Sequence, residues 1–251
     1  MRTPFQGLWN VIRFNWPFYL LAVACMPLVL AMRYFLDTPF KTAADVLLIF
    51  GACCTLISLA VSWCVYDHAG FYKLDWLEGF RAGKIDRIVN INAGFDETSV
   101  LLKKRFADAE MIVCDFYDPA KHTEASIRRA RNAYPPFPGT LKVSMDKLPL
   151  DNEAADLIFA IFSAHEIRDA PERVAFFTEL HRTLSPDGQV IVIEHLRDAA
   201  NYFAYNVGAF HFHSRASWLG TFAAANLEIE SEMKLTPFVS AFFLRKHGST
   251  S

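Results

Sequence analysis

Five side chains in the second half of the chain could move a proton or hold a metal: His165 beside Glu166, then His195, then His211 and His213. A neutral imidazole can take a proton from a phenol, an enol or a protonated amine near neutral pH, and a neighbouring carboxylate can orient or assist it. His165 or His195 is therefore expected to act as the base, with Glu166 assisting and His211 contributing from a separate segment. The same five residues also read as a His/carboxylate cage. They are scattered along the sequence, however, and the expectation is that no metal is bound. Asn201 to Phe222 surrounds His211 with Tyr202, Phe203, Tyr205, Phe210, Phe212, Trp218 and Phe222. Such a stretch either packs a core or lines a pocket for a flat or lipid-like molecule. Upstream, Asp115 closes an apolar run twenty-one positions after Gly94. That spacing suits a carboxylate that accepts hydrogen bonds from both hydroxyls of a ribose, the alternative being a solvated strand-end acid.

These residues need elements to position them. Arg87 to Asn92, Met111 to Asp115, Leu141 to Met145, Asp156 to Phe162 and Val190 to His195 are short apolar or β-branched runs. Helical stretches are expected from Thr98 to Phe106, Thr123 to Ala133 and Pro171 to Leu184, the last ended by Leu184 and Pro186 with Gly188 supplying a turn. Alternating strands and helices predict a parallel sheet with right-handed crossovers. Leu227 to Leu235 alternates apolar and polar residues, and Phe238 to Arg245 returns directly after Thr236 and Pro237, too closely for a parallel crossover. The fold class is α/β: a Rossmann-like, seven-stranded sheet of five parallel strands plus a terminal antiparallel pair.

A different pattern precedes the sheet. Nineteen uncharged residues run from Phe14 to Met32, interrupted by Pro27, and twenty-one from Val46 to Tyr66. At 1.5 Å per residue the second run makes a helix of about 31 Å, which matches the hydrocarbon core of a bilayer. Two transmembrane helices are expected, at about 14–32 and 46–66 within an N-terminal segment 1–66, with Pro27 kinking the first. Residues 67–82 mix aromatics with charges and read as an interfacial linker; residues 83–251 form the α/β domain. The loop from Arg33 to Asp45 balances two basic against two acidic residues, whereas Arg2, Arg13, Lys73, Arg81 and Lys84 flank the hairpin on its other side. This bias places the domain and both termini in the cytoplasm, on a multi-pass cell-membrane protein.

Composition agrees. The 251 residues are 53% hydrophobic and include 23 Phe, with 25 Lys+Arg against 27 Asp+Glu, and the mean hydropathy is +0.17. Neither disorder nor a nucleic-acid-binding polycation fits. Cys25, Cys53, Cys54 and Cys64 lie in the apolar runs and Cys114 in a strand, with no Cys-x-x-Cys spacing to suggest a metal or redox site. Arg128, Arg129 and Arg131 read as a solvated helix face or a contact for anionic lipid, and His181 as a surface residue.

Leu148 to Asp169 (LPLDNEAADLIFAIFSAHEIRD) and Phe176 to Asp198 (FFTELHRTLSPDGQVIVIEHLRD) carry a resemblance. From Ile88 to Lys246 the chain resembles class I S-adenosylmethionine-dependent methyltransferases, most of all the ubiquinone/menaquinone C-methyltransferase branch. The resemblance implies S-adenosyl-L-methionine as cofactor, with Asp115 on the ribose and Asp146 on the adenine amine. It also implies cofactor contacts from Asn90, Asn92, Gly94, Phe116, Lys147 and Ser163. The family's acidic residue and Gly-x-Gly-x-Gly run are replaced by Asn90, Asn92, Gly94 and Asp96, so Asn92 is expected to make the turn through left-handed backbone geometry. Asn90 brings no charge toward the cofactor's ammonium.

Joined, the two halves read as a methyltransferase held at the lipid bilayer. Its acceptor would be a lipid-like or aromatic small molecule: a quinone precursor, a phenolic polyene head group or a lipid amine. The alternatives are a catalytically silent methyltransferase-like subunit within a membrane protein complex, and an altered pocket that transfers some other group from the same cofactor.

Overall fold

The computed structural model describes residues 3–77 and 84–248. Strand β1 (Arg87–Asn92) is buried over nearly its whole length, as are β4 (Ala155–Ile161) and much of β5 (Leu184–His195). Such near-continuous apolar runs suit a sheet covered on both faces. With β2 (Glu110–Asp115), β3 (Leu141–Lys142), β6 (Leu227–Thr236) and β7 (Val239–Lys246) they form one seven-stranded sheet in the order β3-β2-β1-β4-β5-β7-β6. Strands β1 to β5 pair in parallel, and β7 runs antiparallel between β5 and β6. The expected five-plus-two sheet is therefore present. The order reverses direction at β1 and β4, and that crevice is where open α/β sheets bind ligands.

Two details differ from expectation. Strand β3 is only two exposed residues long, because Val143 to Lys147 leaves the sheet in a tight turn closed by the Ser144–Lys147 bridge. Strand β5 begins at Leu184, directly where the preceding helix ends, with a register shift opposite Ala155–Leu157. Gly188 is not a left-handed turn; a Cβ there would stand 3.0 Å from the Ala155 carbonyl and 2.8 Å from Leu184 Cδ1, so close approach of backbone requires the glycine.

One face of the sheet packs against α6 (Ala170–Thr183) and α8 (Arg215–Ala224) through Phe176, Phe177, Leu180, Trp218 and Phe222. The other face carries α4 (Ser99–Arg105) and α7 (Ala199–Tyr205), and it also takes Val61, Val65, Phe71, Leu74 and Leu77 from the N-terminal half. Residues 67–77, expected as an interfacial linker, are thus a structural layer of the domain. Their short apolar turns bury Phe71, Leu74 and Leu77 in the cluster on that face. The remainder of the expected linker and the expected domain start at Gly83 lie outside the described residues.

Three helices form the N-terminal half: α1 (Gln6–Phe14), α2 (Trp16–Arg33) and α3 (Thr38–Trp63). Helix α2 runs unbroken through Pro27 and buries none of its residues. Helix α3 buries only Val61 and Ser62. Both are long and apolar enough to cross a membrane. A soluble core helix would instead be mostly covered.

Candidate active site

A cavity of about 720 Å³ opens at the crevice between β1 and β4. Its floor is Ile91 to Ala93 at the end of β1 and Ile161 with Phe162 at the end of β4. His165 and Glu166 form one wall, with His211 and Phe212 beside them. The roof is unusual, since it consists of α1, α2 and the Cys54-to-Ser62 side of α3.

Helix α1 is held over the sheet at both ends. The backbone N–H groups of Gly7 and Leu8 donate to the two oxygens of Asp67, both at 2.8 Å, so a carboxylate satisfies orphan donors at the helix N-terminus. Arg129 Nη1 donates to the Phe14 carbonyl at 2.6 Å, satisfying an acceptor at the C-terminal end. Between them, Asn10 accepts from the Tyr134 hydroxyl at 2.8 Å and donates to Glu97 at 3.1 Å.

The charged wall is a network. Glu194, fully buried at the end of β5, accepts the backbone N–H groups of Ser163 and His165, each at 3.1 Å, and meets His165 Nδ1 at 2.6 Å. His165 Nε2 lies 3.5 Å from Glu166 Oε1, and His211 Nε2 lies 3.6 Å from the same oxygen. His211 Nδ1 lies 2.8 Å from Glu124 Oε1. Arg168 contacts the His211 ring and carbonyl and reaches Glu124 at 3.3 Å. Burial works against charge on His165, but Glu194 and Glu166 outweigh it and push its pKa up to about 10. Burial likewise opposes charge on Glu166, and the bonds from His165 and His211 hold its carboxyl well below the usual range. The two carboxylates thus favour the protonated form of the expected base His165. It can steady negative charge rather than create it.

His195 stands apart from this cluster and does not line the cavity. Its Nδ1 faces the Phe238 carbonyl at 3.0 Å and Asn201 Oδ1 at 3.2 Å, both acceptors, so the ring proton resides there. Nε2 accordingly accepts from the Tyr66 hydroxyl at 2.9 Å. The ring is stacked between Phe162 and Phe212, and burial pushes its pKa down to about 4. His195 reaches the cavity only through Tyr66, which lines it. The role expected of it as a base in direct contact is corrected to one of holding Tyr66. His213 lies beside Arg173 Nη1 at 3.2 Å and is likewise pushed down to about 4, by burial and then by the arginine.

The turn after β1 is built differently from expectation. Asn92 Oδ1 accepts the Gly94 N–H at 2.9 Å, and Gly94 itself adopts φ 96° while Asn92 does not enter the left-handed region. Asn92 shapes the turn with its side chain. Asn90 Nδ2 donates to Ser99 Oγ at 2.8 Å and Thr98 Oγ1 at 3.1 Å, and Asp96 Oδ1 accepts the Thr98 and Ser99 N–H groups, both at 2.9 Å. Asn90 Oδ1 and Asp96 Oδ2 are buried without a hydrogen-bond partner among the described residues. Two stranded acceptors beside Gly94, one of them a carboxylate oxygen, suit a positively charged ligand group.

Asp115 pairs in register with Asn92, which brings it to the same sheet end. Its Oδ1 accepts the Tyr117 N–H at 2.9 Å, and its Oδ2 is bonded by Arg131 Nη1 at 2.6 Å. The Arg131 guanidinium also lies 4.3 Å from the centre of the Tyr117 ring, and Nη1 stands 2.5 Å from where a Cβ on Gly94 would be. Arg131 thus fills the space between Gly94 and Asp115. Arg129 and Arg131 are not the solvated pair that the sequence suggested, because α5 (Ala125–Ala133) turns them toward α1 and the β-strand ends; Arg128 alone stays exposed.

Four other expected contacts lie elsewhere. Phe116 is buried in the core against His122 and Phe176. Ser163 is buried and donates to the Ile91 carbonyl at 2.9 Å, tying the ends of β4 and β1 together. Asp146 and Lys147 lie exposed beyond the shortened β3, with Asp146 bonded to Ser144; that bond lowers the Asp146 pKa. The residues missed in the sequence are Glu194, Glu124, Tyr66 and Arg131. Only Glu194 left a signal, an acid inside the apolar run VIVIEH.

Comparison with known proteins accounts for this arrangement. Residues 89–192 match the family described as a methyltransferase domain. Over those residues the chain is similar to S-adenosylmethionine-dependent methyltransferases. Its fold is similar to that of a SAM-dependent methyltransferase from Aquifex aeolicus, at 15% identity and a TM-score of 0.51, covering 68% of this chain and 87% of that one. It is also similar to a type 11 methyltransferase from Sulfolobus solfataricus, at 18% identity and a TM-score of 0.51, covering 71% and 94%. A third similar fold is N,N-8-amino-8-demethyl-D-riboflavin dimethyltransferase from Streptomyces davawensis, at 9% identity and a TM-score of 0.51, covering 75% and 58%. No curated protein matches the chain in sequence.

S-adenosylmethionine is the cofactor of such a domain, and the residues present fit it. The stranded acceptors of Asn90 and Asp96 would suit its ammonium, and Asp115, here bonded by Arg131, stands at the strand end where its ribose hydroxyls would be held.

Proposed function

We propose that this protein is a membrane-anchored S-adenosylmethionine-dependent methyltransferase whose acceptor is a lipid-soluble molecule with a polar, aromatic or amine head group. The observation that carries this reading is the roof of the cavity. The same helices that close it, α2 and α3, present otherwise uncovered apolar surfaces. A helix pair spanning the bilayer, with the domain and both termini on the cytoplasmic side, puts the cavity mouth at the headgroup level. An acceptor dissolved in the membrane then reaches the site without crossing water, and its local concentration there is raised.

The bound cofactor supplies an electrophilic methyl group. Everything else falls to the chain. Asn90, Asp96 and Asp115 hold the cofactor, and Tyr66, fixed by His195, offers a hydroxyl to the acceptor. His165, with its proton held by Glu194 and Glu166, steadies the oxyanion of a phenol or enol whose proton has passed to water at the cavity mouth. Most of the rate gain comes from positioning two reactants in one dry cavity. Quinone precursors and phenolic polyene head groups satisfy these requirements, whereas a lipid amine would draw on positioning alone.

A second reading, a silent methyltransferase-like subunit of a membrane complex, is favoured by one observation: Arg131 occupies the partner position of Asp115. Calorimetric titration of the detergent-solubilised full chain with S-adenosylmethionine and S-adenosylhomocysteine separates the two. Binding of both, weakened by Asp115→Ala, supports the enzyme; absence of heat at millimolar ligand supports the silent subunit. A cysteine-accessibility map should place the loop between Arg33 and Asp45 on the membrane side opposite the C-terminus. Labelling of both from one side would remove the hairpin.

A further inference from the structure

The charged wall of the cavity has a geometry that proton transfer alone does not require. We infer that His165, Glu166 and His211 form a divalent transition-metal site, with zinc as its best match, open on its fourth side to the acceptor. Among the described residues these are the three whose ligand atoms all lie within 4.8 Å of one another. The two closest separations that define the site are 3.5 Å, from His165 Nε2 to Glu166 Oε1, and 3.6 Å, from His211 Nε2 to the same oxygen. Ligand atoms around a tetrahedral ion at ~2.0–2.1 Å stand roughly 3.4 Å apart. Two of the three separations therefore match neighbouring corners of a tetrahedron, and the third lies within 4.8 Å.

The backing of the imidazoles is the independent observation. A metal-bound histidine characteristically gives its other ring nitrogen to a carboxylate, which fixes the tautomer and aims the ligand nitrogen. Both histidines do so here. His165 Nδ1 lies 2.6 Å from buried Glu194, and His211 Nδ1 lies 2.8 Å from Glu124. In His165 this leaves Nε2 to point at Glu166, whereas His211 Nε2 lies 3.6 Å from Glu166 and 2.7 Å from Arg168 Nη2, so that guanidinium must withdraw for an ion to bind. Three carboxylates around two imidazoles also leave negative charge that Arg168, at the rim, only partly offsets. Two nitrogen ligands and one carboxylate favour zinc over magnesium or calcium. Three protein ligands with an open fourth position are the pattern of catalytic rather than structural zinc.

Such an ion deepens the proposed function and rests on it for its role. The open position takes the hydroxyl or enol oxygen of the acceptor. The O–H bond breaks, its proton passes to solvent water, and the electron pair stays on an oxygen now bound to the ion. The ion takes over the positive charge that the His165 imidazolium otherwise supplies.

The test uses the full chain in detergent, stripped with a chelator and titrated with Zn2+ alone, with Co2+ as a spectroscopic probe. One Zn2+ per chain is expected, with a tetrahedral Co2+ visible spectrum. His211→Ala, at the partly exposed rim of the site, should weaken Zn2+ at least 10-fold while the chain stays folded, and Glu194→Gln by about 10- to 100-fold. His247→Ala, far from the site, should change nothing. No Zn2+ binding, or binding that His211→Ala leaves unchanged, overturns the inference. Metal binding is read without acceptor, so its failure leaves the proposed function standing, whereas binding without methyl transfer to any acceptor would count against that function alone.

Discussion

The acceptor side and the cofactor side of the crevice are in opposite states. On the acceptor side the cavity is open, and its polar groups are already fixed: Glu194 holds His165, Glu124 holds His211, and Asp67 and Arg129 hold the roof helix. On the cofactor side the space between Gly94 and Asp115 is filled by Arg131, while two acceptors beside it remain unsatisfied. Burial and connectivity explain the contrast. Among the acceptor-side charges, Glu194 lies in β5 and His165 with Glu166 in the turn after β4, while Glu124, His211, Asp67 and Arg129 lie outside the sheet and are fixed by the bonds just named. Arg131 projects from a nine-residue helix, α5, on a long flexible side chain. The acceptor half is preorganised, and the cofactor half must exchange one cation for another group.

The largest break in this comparison should come from Glu194→Ala. Removing a fully buried carboxylate leaves His165 and the backbone N–H groups of Ser163 and His165 without their partner. The loss should be about 3–5 kcal/mol of stability, read as a fall in Tm. Glu194→Gln should retain more of the fold and isolate the effect on turnover.

His195 gives the next effect, through pH. Its folded pKa is about 4 against 6.5 when unfolded, so between those values the unfolded chain binds a proton that the folded chain does not. Its contribution to stability is fully present above pH 6.5 and is lost as pH falls through that window, to about 3 kcal/mol. His195→Gln keeps an acceptor for Tyr66 but cannot titrate. Tm curves from pH 7 to pH 4 should therefore converge for the two proteins; a constant gap would remove His195 as the titrating group.

On the cofactor side, Asp115→Asn should weaken S-adenosylmethionine about 10-fold, close to the worth of a charge-assisted hydrogen bond, and leave acceptor binding unchanged. Arg131→Ala should have the smallest effect and the opposite sign, tightening the cofactor a few-fold by emptying the space that it must enter. Weaker cofactor binding in that variant would make Arg131 a ligand of the cofactor rather than its competitor.

How far the sequence carries these arguments depends on the range of the contact. The first strand is legible to the residue, Arg87 to Asn92, because its burial writes a local apolar run. The terminal antiparallel pair is legible because the turn between its strands is too short for a crossover. His165, Glu166 and His211 were all visible as candidates, but their convergence on one oxygen was not, since forty-five positions separate the pair from His211. Helix α1 went unread because its nine residues are too few to carry a clear periodic signal of their own. The roof depends on Asp67 meeting Gly7, a pairing that no periodicity encodes. Arg131 looked like one of three arginines on a solvated face, and only the docking of α5 distinguishes it.

The most direct measurement is methyl transfer by the full chain in lipid nanodiscs. Tritium-labelled S-adenosylmethionine would be supplied with a phenol carrying a long alkyl tail, and in parallel with the same phenol lacking its tail. A bilayer-fed cavity predicts tritium in the organic-extractable product and a kcat/KM for the tailed phenol at least ~10-fold higher, from its enrichment in the membrane. Equal values for the two phenols, or transfer to the water-soluble one alone, would contradict the account.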